Sequence, residues 1–213
     1  MSRTPPHTLE TLFPTPLYRA SLSGEPGFAA LNADLEATIH GLAQDDRAGR
    51  AWAKAHAYAG YTSYASLDDL PRRATVFADL KRRLDAHVTA FAQDLALDLG
   101  PRGRLTLDSL WVNLLRRGGA HSGHIHPNSV ISGTYYVSVP AGAGALRLED
   151  PRLVAMMAAP PRRRDAPPTR QSFVTIAPAP GDLLMWESWL RHEVLPSAAA
   201  APRLSVSFNY GWS

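Results

Sequence analysis

Cysteine is absent from the 213 residues. This excludes a disulfide framework, thiolate zinc sites, Fe–S clusters and a cysteine nucleophile. It does not distinguish one redox compartment from another. Long apolar runs are missing too, and the opening MSRTPPHTLETLFPTPLYRA contains none. We therefore expect no signal peptide, no membrane span and a cytoplasmic location. Charge of one sign is also scarce: 22 Lys and Arg against 19 Asp and Glu leave a formal net charge of +3. Part of that excess is local, in Arg162, Arg163 and Arg164 of the proline-rich PPRRRDAPPTR. Such a stretch reads as a solvated loop, so no nucleic-acid partner is expected. What the chain does have is a 45% hydrophobic composition. That is enough for a packed core in a single domain over residues 1–213, and it argues against wholesale disorder.

The apolar pattern divides the chain in two. Residues 1–100 read as mostly helical support, preceded by an extended lead-in over Leu12–Leu22. Phe28, Leu31, Leu35, Ile39 and Leu42 recur at helical spacing within 27–43. Phe77, Leu80, Leu84, Val88, Phe91 and Leu95 make a stronger stripe within 74–97. Residues 44–73 show no period. From residue 101 onwards strands are predicted at 105–115, 130–139, 145–149, 172–176, 183–186 and 204–210. Turn chemistry separates them, as in Arg117-Gly118-Gly119 and Pro180-Gly181-Asp182. Helices followed by strands predict an α+β fold with helices packed on one side of an antiparallel sheet or barrel.

Among the eight histidines, His7, His40, His56 and His87 are uninformative singles, and His121 nearly so. His124 and His126 stand two apart at the lead-in to a strand, a period that turns both imidazoles to one face. His121 lies an odd number of residues away and is expected to point elsewhere. Two like-facing neutral imidazoles suit one divalent metal. His192 follows a predicted strand in GDLLMWESWLRHEVLPS and supplies a third candidate ligand. Arg203 opens RLSVSFNY, where Arg203, Ser205 and Ser207 share one strand face and Leu204, Val206 and Phe208 the other. An arginine turned inward is costly to bury without an anion. Its planar fork matches a carboxylate, and Ser205 can add a hydrogen bond.

HIHPNSVISGTYYVSVPAGAGALRLEDPR, GDLLMWESWLRHEVLPS, RLSVSFNY and the early LFPTPLY together resemble the Fe(II)/2-oxoglutarate-dependent oxygenases. The likeness is strongest to a bacterial group with an H-x-H-P-x-S…SG-x-YY motif and more distant to prolyl hydroxylases. The resemblance implies a double-stranded β-helix (jelly-roll) core with supporting N-terminal helices. It implies Fe(II), 2-oxoglutarate and O2 as cofactor and co-substrates, with succinate and CO2 released as an unactivated C–H is hydroxylated. It places His124 and His192 at the first and last metal-ligand positions. Arg203, with Ser205 beside it, takes the position that holds the far carboxylate of 2-oxoglutarate. Tyr136 and Asn113 take positions that contact the same co-substrate.

The sequence departs from the family pattern at His126, which stands where a carboxylate ligand is usual. If His126 binds, the triad is all histidine and contributes no negative charge. If it does not, a water or halide completes a two-histidine site. We read His126 as the ligand, Asp182 as a turn residue and Glu193 as facing away from His192. Trp111, Trp186, Trp189 and Trp212 are expected to pack the core, and residues 152–171 fit a lid or a disordered insertion equally well. Two other readings stay open. One is a three-histidine cupin-type dioxygenase that does not use 2-oxoglutarate; the other is a catalytically inactive metal-binding jelly-roll module. A small molecule or a peptidyl residue fits as substrate, and the fold commonly forms homodimers.

Overall fold

The computed structural model describes residues 7–213. Its ten strands form two antiparallel sheets. The six-stranded sheet has the order β1 (Tyr18–Ser21), β8 (Asp182–Glu187), β5 (Ile131–Ser138), β10 (Arg203–Trp212), β3 (Leu105–Leu115), β2 (Gly60–Thr62). The four-stranded sheet has the order β4 (His121–His124), β9 (His192–Val194), β6 (Leu146–Glu149), β7 (Phe173–Ile176). Three helices, α1 (Phe28–Asp45), α2 (Arg47–Ala55) and α3 (Thr75–Asp94), precede β3.

Period-two alternation along the large sheet sorts its side chains into two layers. Leu204, Val206, Phe208 and Tyr210 of β10 join Tyr135, Val137, Leu183 and Met185 in one cluster. The helical stripes meet them there: Leu31, Leu35 and Ile39 from α1, and Phe77, Leu80, Leu84, Val88 and Phe91 from α3. The intervening residues face the small sheet. Tyr136, Leu184 and Trp186 pack against Leu146, Leu148 and Ile176 in a second, smaller cluster. At Gly133 an added Cβ would stand 2.5 Å from the Phe208 ring, so that strand crossing requires glycine. Helices therefore cover one face of the large sheet, and the other face is left to build a site between the sheets.

The apolar stripes at 27–43 and 74–97 are α1 and α3. Residues 44–73, which carry no period, nevertheless contain α2 and β2. The Asp46 side chain caps α2 by accepting from the Gly49 N–H at 2.9 Å. This helix docks through small residues, Gly49 and Ala53, instead of a bulky stripe. A Cβ at Gly49 would meet Tyr61 at 2.8 Å and Ser66 at 2.9 Å, which shows how closely α2 approaches. The first strand also comes before the helices, so the order of helices and strands is less segregated than the pattern suggests. No helix among the described residues is long and apolar enough to cross a membrane.

Candidate metal centre

The site begins with a cross-strand pair. β4 runs antiparallel to β9 with His124 opposite His192. Their ring centroids lie 4.4 Å apart. His126 follows β4 and is fixed by its backbone, whose N–H donates to the Ser188 carbonyl at 3.0 Å. Its ring stands 5.1 Å from His124 and 5.2 Å from His192. One nitrogen from each of the three lies within 4.8 Å of the others, so a single ion can be reached by all three.

Hydrogen bonds select the free nitrogens. His124 Nδ1 lies 2.7 Å from the Ser122 carbonyl oxygen, and His192 Nδ1 lies 2.9 Å from that of Leu190. A carbonyl only accepts, so each Nδ1 carries the proton and each Nε2 keeps its lone pair for a metal. His126 Nδ1 lies 3.5 Å from the Asn209 side-chain amide. That amide also accepts from Ser132 Oγ at 2.8 Å, which ties the histidine to the buried face of β10 and β5.

A cavity of about 350 Å³ opens from these histidines and runs between the sheets to Arg203. Arg203 is only 2% exposed, and no carboxylate pairs with it among the described residues. Its Nη1 donates to the Gly144 carbonyl at 2.8 Å, and its Nη2 stands 3.5 Å from Ser205 Oγ. Burial lowers its pKa. The guanidinium carbon sits 5.3 Å from the centre of the Tyr136 ring. Three buried side-chain polar atoms lack any partner among the described residues: Arg203 Nε, Tyr136 Oη and Trp186 Nε1. All three belong to residues that line this cavity. Buried donors are nearly always satisfied, so three orphans around one void give it hydrogen-bonding capacity for a polar ligand or for water. Burial pushes the Tyr136 phenol up to about 12, which keeps it a neutral donor.

Six of the seven residues singled out in the sequence line the cavity: His124, His126, His192, Arg203, Tyr136 and Asn113. Ser205 is fully buried and reaches the cavity only through Arg203. Asn113 is held on both sides, accepting from Thr62 Oγ1 at 2.9 Å and donating to Ser207 Oγ at 3.1 Å. Tyr135 points into the helical core and donates to Asn32 Oδ1 at 3.0 Å. Glu193 pairs with Arg147, away from the histidines, and Asp182 accepts from the Ala179 N–H in its turn.

Two expectations need correction. His121 does not point elsewhere; it lines the cavity, because the β4–β9 register is irregular between His121 and His124 and strict alternation fails there. There it meets Tyr58, the two side chains 2.7 Å apart. Trp186 packs in the smaller cluster as expected and, like the buried Trp111, also borders the cavity, whereas Trp189 and Trp212 are exposed and join neither cluster. No residue of 152–171 lines the cavity. Tyr58, Thr62 and Trp52 are site residues that sequence reasoning passed over, and all three lie in the stretch without periodicity.

The histidines make the metal-free fold acid-sensitive. Burial, as the main cause in each, lowers His121 to about 3, His126 to about 4 and His192 to about 3. In the unfolded chain they titrate near 6.5. Between those values the unfolded state binds protons that the native state refuses, so stability is lost as pH falls from about 6.5 toward 4. The melting temperature of metal-free protein is expected to drop across that range. His121→Gln should flatten the slope between pH 6.5 and 5; an unchanged slope in thermal denaturation would contradict the assignment.

Residues 109–209 match the family model described as "Putative 2OG-Fe(II) oxygenase". No curated protein matches the chain in sequence. Among solved structures, a prolyl-4-hydroxylase from Pseudomonas putida is similar over 92% of this chain and 93% of that one, at 18% identity and a TM-score of 0.59. HygX from Streptomyces hygroscopicus, solved with nickel and 2-oxoglutarate bound, is similar over 92% of this chain and 82% of that one, at 15% identity and a TM-score of 0.59. The chain spans 58% of a Burkholderia pseudomallei oxidoreductase of the 2OG-Fe(II) oxygenase family; that match covers 65% of this chain at 18% identity and a TM-score of 0.45. At these identities the likeness is one of fold.

Proposed function

We propose that this chain, with a 2OG-Fe(II) oxygenase match over residues 109–209, is a non-haem Fe(II)- and 2-oxoglutarate-dependent hydroxylase built as one domain on a jelly-roll core. The carrying observation is the pairing, in one cavity, of a three-histidine cluster with a buried arginine that has no counter-charge. His124, His126 and His192 would hold Fe(II). Arg203, with Tyr136 and, through the guanidinium, Ser205, would hold the carboxylate of 2-oxoglutarate, while Asn113 lines the space between. This donor set fits the group, since neutral imidazoles suit a divalent iron and the orphaned Arg203 Nε and Tyr136 Oη are donors suited to a carboxylate.

When bound, iron and 2-oxoglutarate supply the oxidation: R–H, O2 and 2-oxoglutarate give R–OH, succinate and CO2. The chain's own part is positional. The Ser122 and Leu190 carbonyls fix two imidazoles in the tautomer that ligates, and Gly144 and Ser205 hold the guanidinium. On the large sheet's inner face Leu184 and Trp186 pack with Leu146, and Trp186 and Leu146 give the cavity an apolar wall. No residue is required as general base.

The test is anaerobic addition of Fe(II) and then 2-oxoglutarate, followed in the visible range. The weak charge-transfer band of a 2-oxoglutarate chelate is expected, and admission of O2 should release succinate. Iron binding without the band would instead favour the cupin-type dioxygenase. A band without any succinate would favour an inactive module.

A further inference from the structure

Part of the cavity wall has an aromatic chemistry of its own. Trp52 of α2 meets Tyr58 edge-on, with ring centroids 6.1 Å apart. Elsewhere in the lining, Tyr64 meets Trp111 edge-on at 5.2 Å, and Trp111 stands 6.0 Å from His126. Tyr64 is 55% exposed while Trp111 is 7% exposed. This aromatic wall therefore runs from solvent down to the histidine cluster. Among the described residues no Asp, Glu or Lys lines the cavity, and Arg203 is its one permanent cation.

From this we infer that the substrate is an uncharged, ring-bearing small molecule whose ring lies against Trp52, Tyr64 and Trp111. The inference rests on the oxygenase reading, which assigns Arg203 to the co-substrate and leaves the remaining walls to the substrate. An ammonium or carboxylate drawn into this space would lose its water and find no opposite charge, a cost that a free amino acid would incur twice. A neutral ring loses little hydration and gains stacking and apolar contact on the aromatic faces. An extended peptide is disfavoured for a separate reason. The strand edges beside the cavity are β2, three residues long, and β4, four residues long with an irregular register. Such short, uneven edges offer little ladder for a peptide to pair with.

The test uses full-length protein loaded anaerobically with Fe(II) and saturating 2-oxoglutarate, titrated calorimetrically with one ring carrying different charges. The probes are methyl 4-hydroxyphenylacetate (neutral), 4-hydroxyphenylacetate (anion), tyramine (cation) and tyrosine (zwitterion). Acetyl-Gly-Pro-Gly-amide serves as an uncharged peptide. The neutral ester is expected to bind at least about tenfold more tightly than each of the others. Tyr64→Ala, at an exposed position, should weaken the ester at least fivefold, and Tyr64→Phe should restore it. A charged probe or the peptide binding as tightly as the ester, no binding by the ester, or indifference to Tyr64→Ala would each overturn the inference. The chelate band, recorded on the same samples, separates the two failures. With the band present, only the substrate class falls; with the band absent, the oxygenase reading falls and takes the substrate class with it.

Discussion

Arg203→Met is expected to weaken 2-oxoglutarate binding by roughly 30-fold or more without weakening the fold. The native guanidinium is buried, and the protein offers it only a carbonyl and a hydroxyl, so the folded chain carries an unneutralised charge. Truncating one partner of a buried, hydrogen-bonded charge pair costs about 2–5 kcal/mol. In affinity this is a loss of roughly 30-fold or more, which is expected in a titration of the iron-loaded variant followed by its chelate band. Stability should move the other way or stay level. Methionine fills similar volume without the desolvation cost, and that relief offsets the hydrogen bonds lost at the Gly144 carbonyl and Ser205 Oγ. The informative outcome is the combination of an unchanged or raised melting temperature with weakened co-substrate binding. Unaltered 2-oxoglutarate affinity would show that the carboxylate is held elsewhere.

His126→Ala is expected to lower Fe(II) affinity by more than about 100-fold, since loss of an outer-shell partner alone typically costs 10–100-fold and His126 is proposed as a direct ligand. His126→Asp should recover most of that affinity by restoring a carboxylate at the same backbone position, which the Ser188 carbonyl fixes independently of the side chain. Competition titration with a chromophoric chelator measures both. Stoichiometric, tight iron in His126→Ala would remove His126 from the ligand set and leave a two-histidine site. The wild-type imidazole is well suited to its proposed task because burial lowers it to about 4, so it is uncharged and able to bind at neutral pH.

Much of the site was legible because strand periodicity carries it. Arg203, Ser205 and Ser207 alternate with Leu204, Val206 and Phe208, and the structure separates them as the spacing requires, polar residues toward the cavity side and apolar ones into the helical core. The same rule failed at His121, where a register irregularity breaks the alternation. It was silent at Trp52 because α2 packs through glycine and alanine and leaves no apolar stripe, and at Tyr58 and Thr62 because β2, which follows, is only three residues long. Trp111 was taken for packing because type alone cannot tell a core indole from a cavity wall. Its neighbours Tyr64 and His126 decide the matter, and both are contacts across the fold.

The place of β10 has a consequence for how the molecule comes into being. It lies between β5 and β3, yet it follows every other strand in chain order. Its partners are far back along the chain: the Asn113–Ser207 hydrogen bond spans 94 residues and that of Ser132 with Asn209 spans 77. Closing loops of that size makes for slow folding. During synthesis β3 and β5 are made long before the strand that will join them, and their facing edges wait unpaired, open to association with other chains. Arg203 and the Asn209 support of His126 enter with that same strand. The guanidinium and the amide beside His126 are thus delivered by the last strand in chain order, whereas the three histidines come from β4, β9 and the segment after β4.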